Sequence, residues 1–129
     1  MPHLELKTNL PDDAITEDFI KRCAKLLAVT TGNPEKIVGV IVSSNKRIFS
    51  AGSFDPAVWM SLSLIPPING MSIEDKNRYC DEICSFVMKE LNLPEERVEL
   101  CLMMFDASNV GSKSGTVQSV WTKQASSKP

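Results

Sequence analysis

The chain has 129 residues and a formal net charge of −2, with 43% hydrophobic and 23% charged residues. Those figures suit one globular domain and are too apolar for a disordered chain. There is no basic surplus to neutralise a phosphate backbone and no apolar run near the ~18 residues of a membrane helix, so nucleic acid and membrane insertion are set aside.

The start, Met1-Pro2-His3-Leu4-Glu5-Leu6, lacks the charged and then long apolar segments of a signal peptide, and composition alone points to the cytoplasm. His3 is the one histidine, which excludes His-based metal sites and argues against a His-dependent triad. The four cysteines, Cys23, Cys80, Cys84 and Cys101, form no C-x-x-C pair. They read as free thiols in a reducing compartment, and no metal site is expected.

Residues 4–8 alternate apolar and polar, as a half-buried strand does. Asn9-Leu10-Pro11-Asp12-Asp13 is turn chemistry. Thr16 suits a helix N-cap, with Glu17 and Asp18 in the first turn, where negative charge meets the helix dipole favourably. Phe19, Ile20, Cys23, Leu26 and Leu27 then make one apolar stripe, and Gly32 is a natural stop. Ile37-Val38-Gly39-Val40-Ile41-Val42 is a near-continuous β-branched run, which predicts a strand covered on both faces. Residues 44–47 read as a turn and Ile48-Phe49 as a short strand after it.

Residues 57–65 predict another strand, with Val58, Met60, Leu62 and Leu64 on one side and Trp59 and Ile65 on the other. Pro66-Pro67-Ile68-Asn69-Gly70 connects it to a second helix. Ser72 with Asp75 resembles a capping box there, and Tyr79, Cys80, Ile83, Cys84, Val87 and Leu91 form the stripe. Pro94-Glu95-Glu96-Arg97 opens a strand over 98–105. A loop follows at 106–111, then a short strand near 116–121, while the Ser- and Lys-rich residues 121–129 read as a flexible tail.

Pro34-Glu35-Lys36-Ile37-Val38 returns as Pro94-Glu95-Glu96-Arg97-Val98 at an offset of 60 residues. Each half is strand, helix, strand, so the expected domain covers 1–120, with repeat halves at about 2–50 and 57–111. A helical crossover makes the two strands of each half parallel. The expected fold class is α/β, in its α+β variant: duplicated β-α-β units giving a four-stranded mixed sheet with two helices on one face. Two helices cannot cover both faces, so the bare face predicts a partner subunit.

Met1-Pro2 followed at once by a strand, Thr8-Asn9-Leu10-Pro11, Asp55-Pro56-Ala57, Asn77-Arg78, Pro94-x-x-Arg97-Val98 and Asn109-Val110-Gly111 occur in this order. On these motifs, from Pro2 to about Val117, the chain resembles the macrophage migration inhibitory factor and D-dopachrome tautomerase family. The resemblance implies a homotrimer and keto–enol, D-dopachrome or phenylpyruvate tautomerase chemistry on a small aromatic substrate, with no cofactor and no metal. It makes Pro2 the catalytic base once Met1 is removed. A simpler role for Pro2 is to begin an edge strand.

The implied pocket departs from the family pattern. Asn33 stands where the family has a lysine that holds the substrate carboxylate; it can donate a hydrogen bond but cannot form an ion pair. Lys36 is the nearby cation, with a solvated position as its other reading. Ile65 matches an isoleucine whose backbone N–H binds the carboxylate, and Pro66 replaces the following glycine. Glu99 and Cys101 take the places of a tyrosine and an asparagine contributed by the neighbouring subunit, and Val110 and Val117 supply an apolar wall. The family's C-x-x-C is replaced by Ala57-Val58-Trp59-Met60, so no thiol-oxidoreductase activity is expected. The resulting expectation is weak tautomerase activity. The alternative is a cytokine-like signalling protein, released without a signal peptide, that binds a cell-surface receptor and keeps a degenerate pocket.

Overall fold

The computed structural model describes residues 2–127. Strand β1 (His3–Thr8) sends Leu4, Leu6 and Thr8 into the core and His3, Glu5 and Lys7 outward. Helix α1 (Glu17–Thr31) begins as the sequence predicts: the Thr16 hydroxyl accepts from the Phe19 N–H at 3.1 Å. It ends at Gly32, whose φ of 70° is the left-handed conformation that glycine adopts without strain. Strand β2 (Gly39–Ser43), strand β3 (Val58–Leu64), helix α2 (Ile73–Leu91) and strand β4 (Val98–Met104) complete the repeat. The Ser72 hydroxyl caps α2 by accepting from the Asp75 N–H at 3.1 Å.

The strand order is β2-β1-β3-β4. Strands β1 and β2 are parallel, β3 and β4 are parallel, and β1 runs antiparallel to β3. The duplicated units thus meet back to back in one mixed sheet, as the repeat predicts. The repeated Pro34 and Pro94 segments fold alike, each leading through a three-residue 3-10 turn into a strand. Both helices lie on the face that carries Leu4, Leu6, Val58, Met60, Leu62 and Leu64, where they add Phe19, Cys23, Leu27, Ile83 and Val87 to one core. Phe19 and Phe86 stack at 5.8 Å between ring centroids, joining the two helices.

Four expectations are corrected. Within the single chain strand β2 is covered on one face only: it is an edge strand, and Ile41 is 57% exposed on the side away from the helices. Ile48 and Phe49 do not form a strand. Their segment turns at Asn45, where φ is 57°, and the Lys46 N–H donates to the Thr8 carbonyl at 2.9 Å. Ile48 is buried there and Phe49 packs on Phe54 at 5.0 Å. The expected strand near 116–121 shrinks to a two-residue ladder between β5 (Gly111–Ser112) and β6 (Gly115–Thr116). Last, the following helix α3 (Val117–Ser127) takes up most of the stretch read as a tail, whose end, Lys128 and Pro129, lies outside the described residues. Val117, Val120 and Trp121 lie three and four positions apart, which is helical spacing, and the Thr116 hydroxyl accepts from the Ser119 N–H at 3.1 Å at the helix start.

Candidate active site

Pro2 is fully buried just ahead of β1. Its carbonyl accepts from the Gly39 N–H at 3.0 Å, which fixes the chain start to the edge strand. A Cβ on Gly39 would stand 2.7 Å from Cδ2 of the exposed His3 ring, so a larger residue there would displace that ring. Beside Pro2 lies a cleft of about 270 Å³. Its walls come from the end of α1 (Thr31, Asn33), the end of β3 (Leu64, Ile65), the Pro66-Pro67 connection, Tyr79 of α2 and Trp121 of α3. None of these lining side chains is charged.

The polar groups of the cleft are held in place. Asn33 Nδ2 donates to the Thr31 hydroxyl at 3.0 Å and to the Thr31 carbonyl at 3.3 Å, and the Thr31 hydroxyl donates to the Leu27 carbonyl at 2.6 Å. A carbonyl accepts only from the nitrogen side of the amide, so Asn33 turns its two N–H groups back to its own helix end. Pro66 and Pro67 have no N–H to offer. Behind Tyr79, Arg78 donates to the Thr30 carbonyl at 3.2 Å, and the Thr30 hydroxyl donates to Glu82 at 2.7 Å. These bonds clasp the end of α1 to α2. The Arg78 guanidinium lies 5.0 Å from the Tyr79 ring centroid, a cation–π contact beside the cleft.

Of the residues expected at the site, Pro2, Asn33 and Ile65 share this cleft. Val110 lies in an adjoining hollow with His3, Ser63 and Phe105 that shares Leu64 and Ile65 with it. Val117 is linked to that hollow by its N–H, which donates to the Val110 carbonyl at 2.7 Å. Glu99 and Cys101 line a different hollow, on the bare sheet face with Glu5, Lys7 and Trp59. Lys36 is exposed and is not part of the cleft wall. Sequence reasoning did not bring Tyr79 or Trp121 to the site. Tyr79 sits in a helical stripe that signals only core, and Trp121 follows a loop whose return path no local pattern reveals.

Burial pushes the Cys84 thiol up to about 11 and the Cys23 thiol up to about 12, so both stay protonated and unreactive at neutral pH. Among the described residues, no three His, Cys, Asp or Glu side chains are grouped to hold a metal ion, and no helix is long and apolar enough to cross a membrane.

Residues 1–118 match the family model described as macrophage migration inhibitory factor (MIF). The MIF-like protein mif-2 of Caenorhabditis elegans is 32% identical over 117 residues, covering 91% of this chain and 95% of that one. The macrophage migration inhibitory factor of Trichinella spiralis superposes with a TM-score of 0.80 at 19% identity, over 88% of this chain and 98% of that one. The Oncomelania hupensis factor gives 0.81 at 16% identity and spans 98% of this chain and 91% of its own. With its duplicated β-α-β sheet and a family match from the first residue to the start of α3, the chain belongs to the macrophage migration inhibitory factor family.

Proposed function

We propose that this chain is a keto–enol tautomerase, an isomerase that interconverts keto and enol groups of a small aromatic substrate, with Pro2 as its base. The observation that carries the reading is the burial of Pro2 beside a cleft with uncharged walls, shared with Asn33 and Ile65. Removal of Met1, which lies outside the described residues, converts the Pro2 nitrogen from a tertiary amide to a secondary amine. Burial among uncharged walls disfavours the protonated amine and keeps the neutral base available. That nitrogen takes a proton from the carbon next to the substrate carbonyl. The electron pair of the broken C–H bond moves into the chain of bonds that ends at the carbonyl oxygen. The ammonium then returns its proton to that oxygen, giving the enol, and the reverse sequence gives the ketone. No cofactor enters the balance.

The assembly proposed with this reading is a homotrimer. The sheet face opposite the helices exposes Ile41, Trp59 (46%) and Met103 (41%) among Glu5, Lys7 and Glu99, a mixed surface whose apolar side chains a second copy can cover. In that assembly Glu99 and Cys101 approach the cleft of a neighbouring copy. The Glu99 carboxylate would favour the protonated amine and repel an anionic substrate there, which weakens the enzyme.

The test uses protein whose intact mass confirms loss of Met1, assayed with D-dopachrome methyl ester and phenylpyruvate beside Pro2→Gly. Turnover that drops by about 100-fold or more in Pro2→Gly supports the proline base. No turnover of either compound by the processed protein overturns it. A second reading, a cytokine-like protein that engages a cell-surface receptor, draws on the missing cation at Asn33. It expects a macrophage-migration effect that Pro2→Gly retains in full.

A further inference from the structure

Helix α3 runs beyond the family match, which ends at residue 118. It nevertheless packs back on the domain. The Val117 N–H donates to the Val110 carbonyl at 2.7 Å, and Val117 and Val120 are half-buried. Trp121 behaves differently: it remains 48% exposed although it lines the Pro2 cleft. It also lines the adjoining hollow of about 530 Å³ between α3 and the Pro66-Pro67 connection. A large aromatic face is thus left open at the cleft mouth.

The chemistry of the walls restricts what that face can meet. The lining holds no cation, the two prolines of the rim have no N–H, and both amide N–H groups of Asn33 are bonded to Thr31. A carboxylate entering here would give up its water and gain no charged partner. An uncharged aromatic ring loses little water and gains stacking contact with Trp121 and Tyr79. We propose that Trp121 is a substrate-binding wall of the Pro2 cleft that stacks the aromatic ring of a carbonyl compound, while the cation-free lining around it disfavours aromatic acids. This inference rests on the tautomerase reading for the identity of the reaction and on Trp121 and the lining around it for the choice of substrate.

The probe pair is methyl phenylpyruvate and phenylpyruvate, which differ in the charged group alone. Turnover and calorimetric binding of both are measured for the processed wild type, Trp121→Ala and Trp121→Phe. We expect the wild type to prefer the ester by about tenfold or more in kcat/KM. Trp121→Ala should raise the ester's KM and Kd about tenfold and change kcat much less, and Trp121→Phe should recover most of the loss. Wild-type preference for the acid, or equal losses in the Ala and Phe variants, overturns the proposal. If Trp121→Ala matches the wild type in KM and Kd, the wall is refuted while the proline base stands. If the wild type binds the ester in a Trp121-dependent way without turning it over, the base is refuted and the wall stands. Absence of ester binding to the wild type overturns both.

Discussion

Arg97 Nε donates a hydrogen bond to the Pro56 carbonyl at 3.1 Å, across 41 positions of sequence. Arg97 is only 7% exposed, and its terminal nitrogens donate to the carbonyls of Ser50, Ser53 and Asp55. Asn9 works on the same segment: its Nδ2 donates to the Phe54 and Asp55 carbonyls at 3.0 Å, and its Oδ1 accepts from the Ala57 N–H at 2.9 Å. The Thr8 hydroxyl donates to the Ala57 carbonyl at 2.7 Å. Three of the motifs that carry the family resemblance, around Thr8-Asn9, Asp55-Pro56-Ala57 and Arg97, therefore form one polar clasp. It anchors the loop that joins the repeat halves and is not part of the Pro2 cleft.

Removing the clasp should destabilise the fold. Arg97→Met leaves carbonyls that faced a charged donor without it, a loss of roughly 3 kcal/mol. Thermal unfolding should show a fall of about 10 °C for a domain of this size. Arg97→Lys should recover less than half of it, because an ammonium cannot span the carbonyls that the planar guanidinium reaches. An unchanged midpoint for Arg97→Met would show that water replaces the guanidinium without loss.

The fold was legible because two independent patterns agree: a period of two in the strands, and stripes at three and four in the helices, both repeated with the Pro34 and Pro94 segments. The parallel pairing within each half followed from the crossover rule. The site was legible in part. Pro2, Asn33 and Ile65, which the family resemblance named, share the cleft because Pro2 precedes β1, Asn33 follows α1 and Ile65 follows β3. Strand β2 misled because β-branched residues look alike in a central strand and in an edge strand whose outer face bears Ile41. Helix α3 was hidden because its Ser- and Lys-rich composition resembles a tail, and its apolar residues gain their meaning from contact with distant loops.

Alkaline pH should unfold the protein earlier than its net charge alone suggests. Burial raises the Cys84 and Cys23 thiols from 9.0 to about 11 and about 12. The folded state thus retains protons that the unfolded chain has released, and the stability they supply is intact below pH 9. It declines as pH rises through the unfolded value toward 11 and 12, by up to about 1.4 kcal/mol per pH unit for the buried Cys23 and by less for the half-buried Cys84, which solvent partly screens. Denaturant titrations at pH 8 to about 11 should show this slope, and Cys23→Ala should make it shallower despite a lower stability at pH 8. Parallel curves for the two proteins would argue against it.

The bare sheet face should set the oligomeric state. Trp59 and Ile41 face away from the helices and belong to no core of the single chain. Sedimentation equilibrium should give three times the 14.3 kDa chain mass for the wild type and a smaller species for Trp59→Arg. Burying an arginine charge against an apolar partner surface is strongly unfavourable, whereas on an isolated chain it would be solvated. A monomeric wild type at micromolar concentration would refute the homotrimer.

Charge restored at position 33 should redirect the cleft toward acids. Asn33 occupies the cleft wall, and its N–H groups are committed to Thr31. Asn33→Lys removes those bonds and brings an ammonium to a wall to which the chain's own lining contributes no other charge. A hydrogen bond to a charged group contributes about 1.5–3 kcal/mol, so the KM for phenylpyruvate should fall by about 10- to 100-fold. The KM for its methyl ester should change little, because the ester has no charge to pair. The ammonium also disfavours a protonated Pro2 amine, so the acidic limb of the pH–rate profile should move to lower pH. If the acid and the ester gain equally, the lysine acts through the amine or through packing and not by holding the carboxylate.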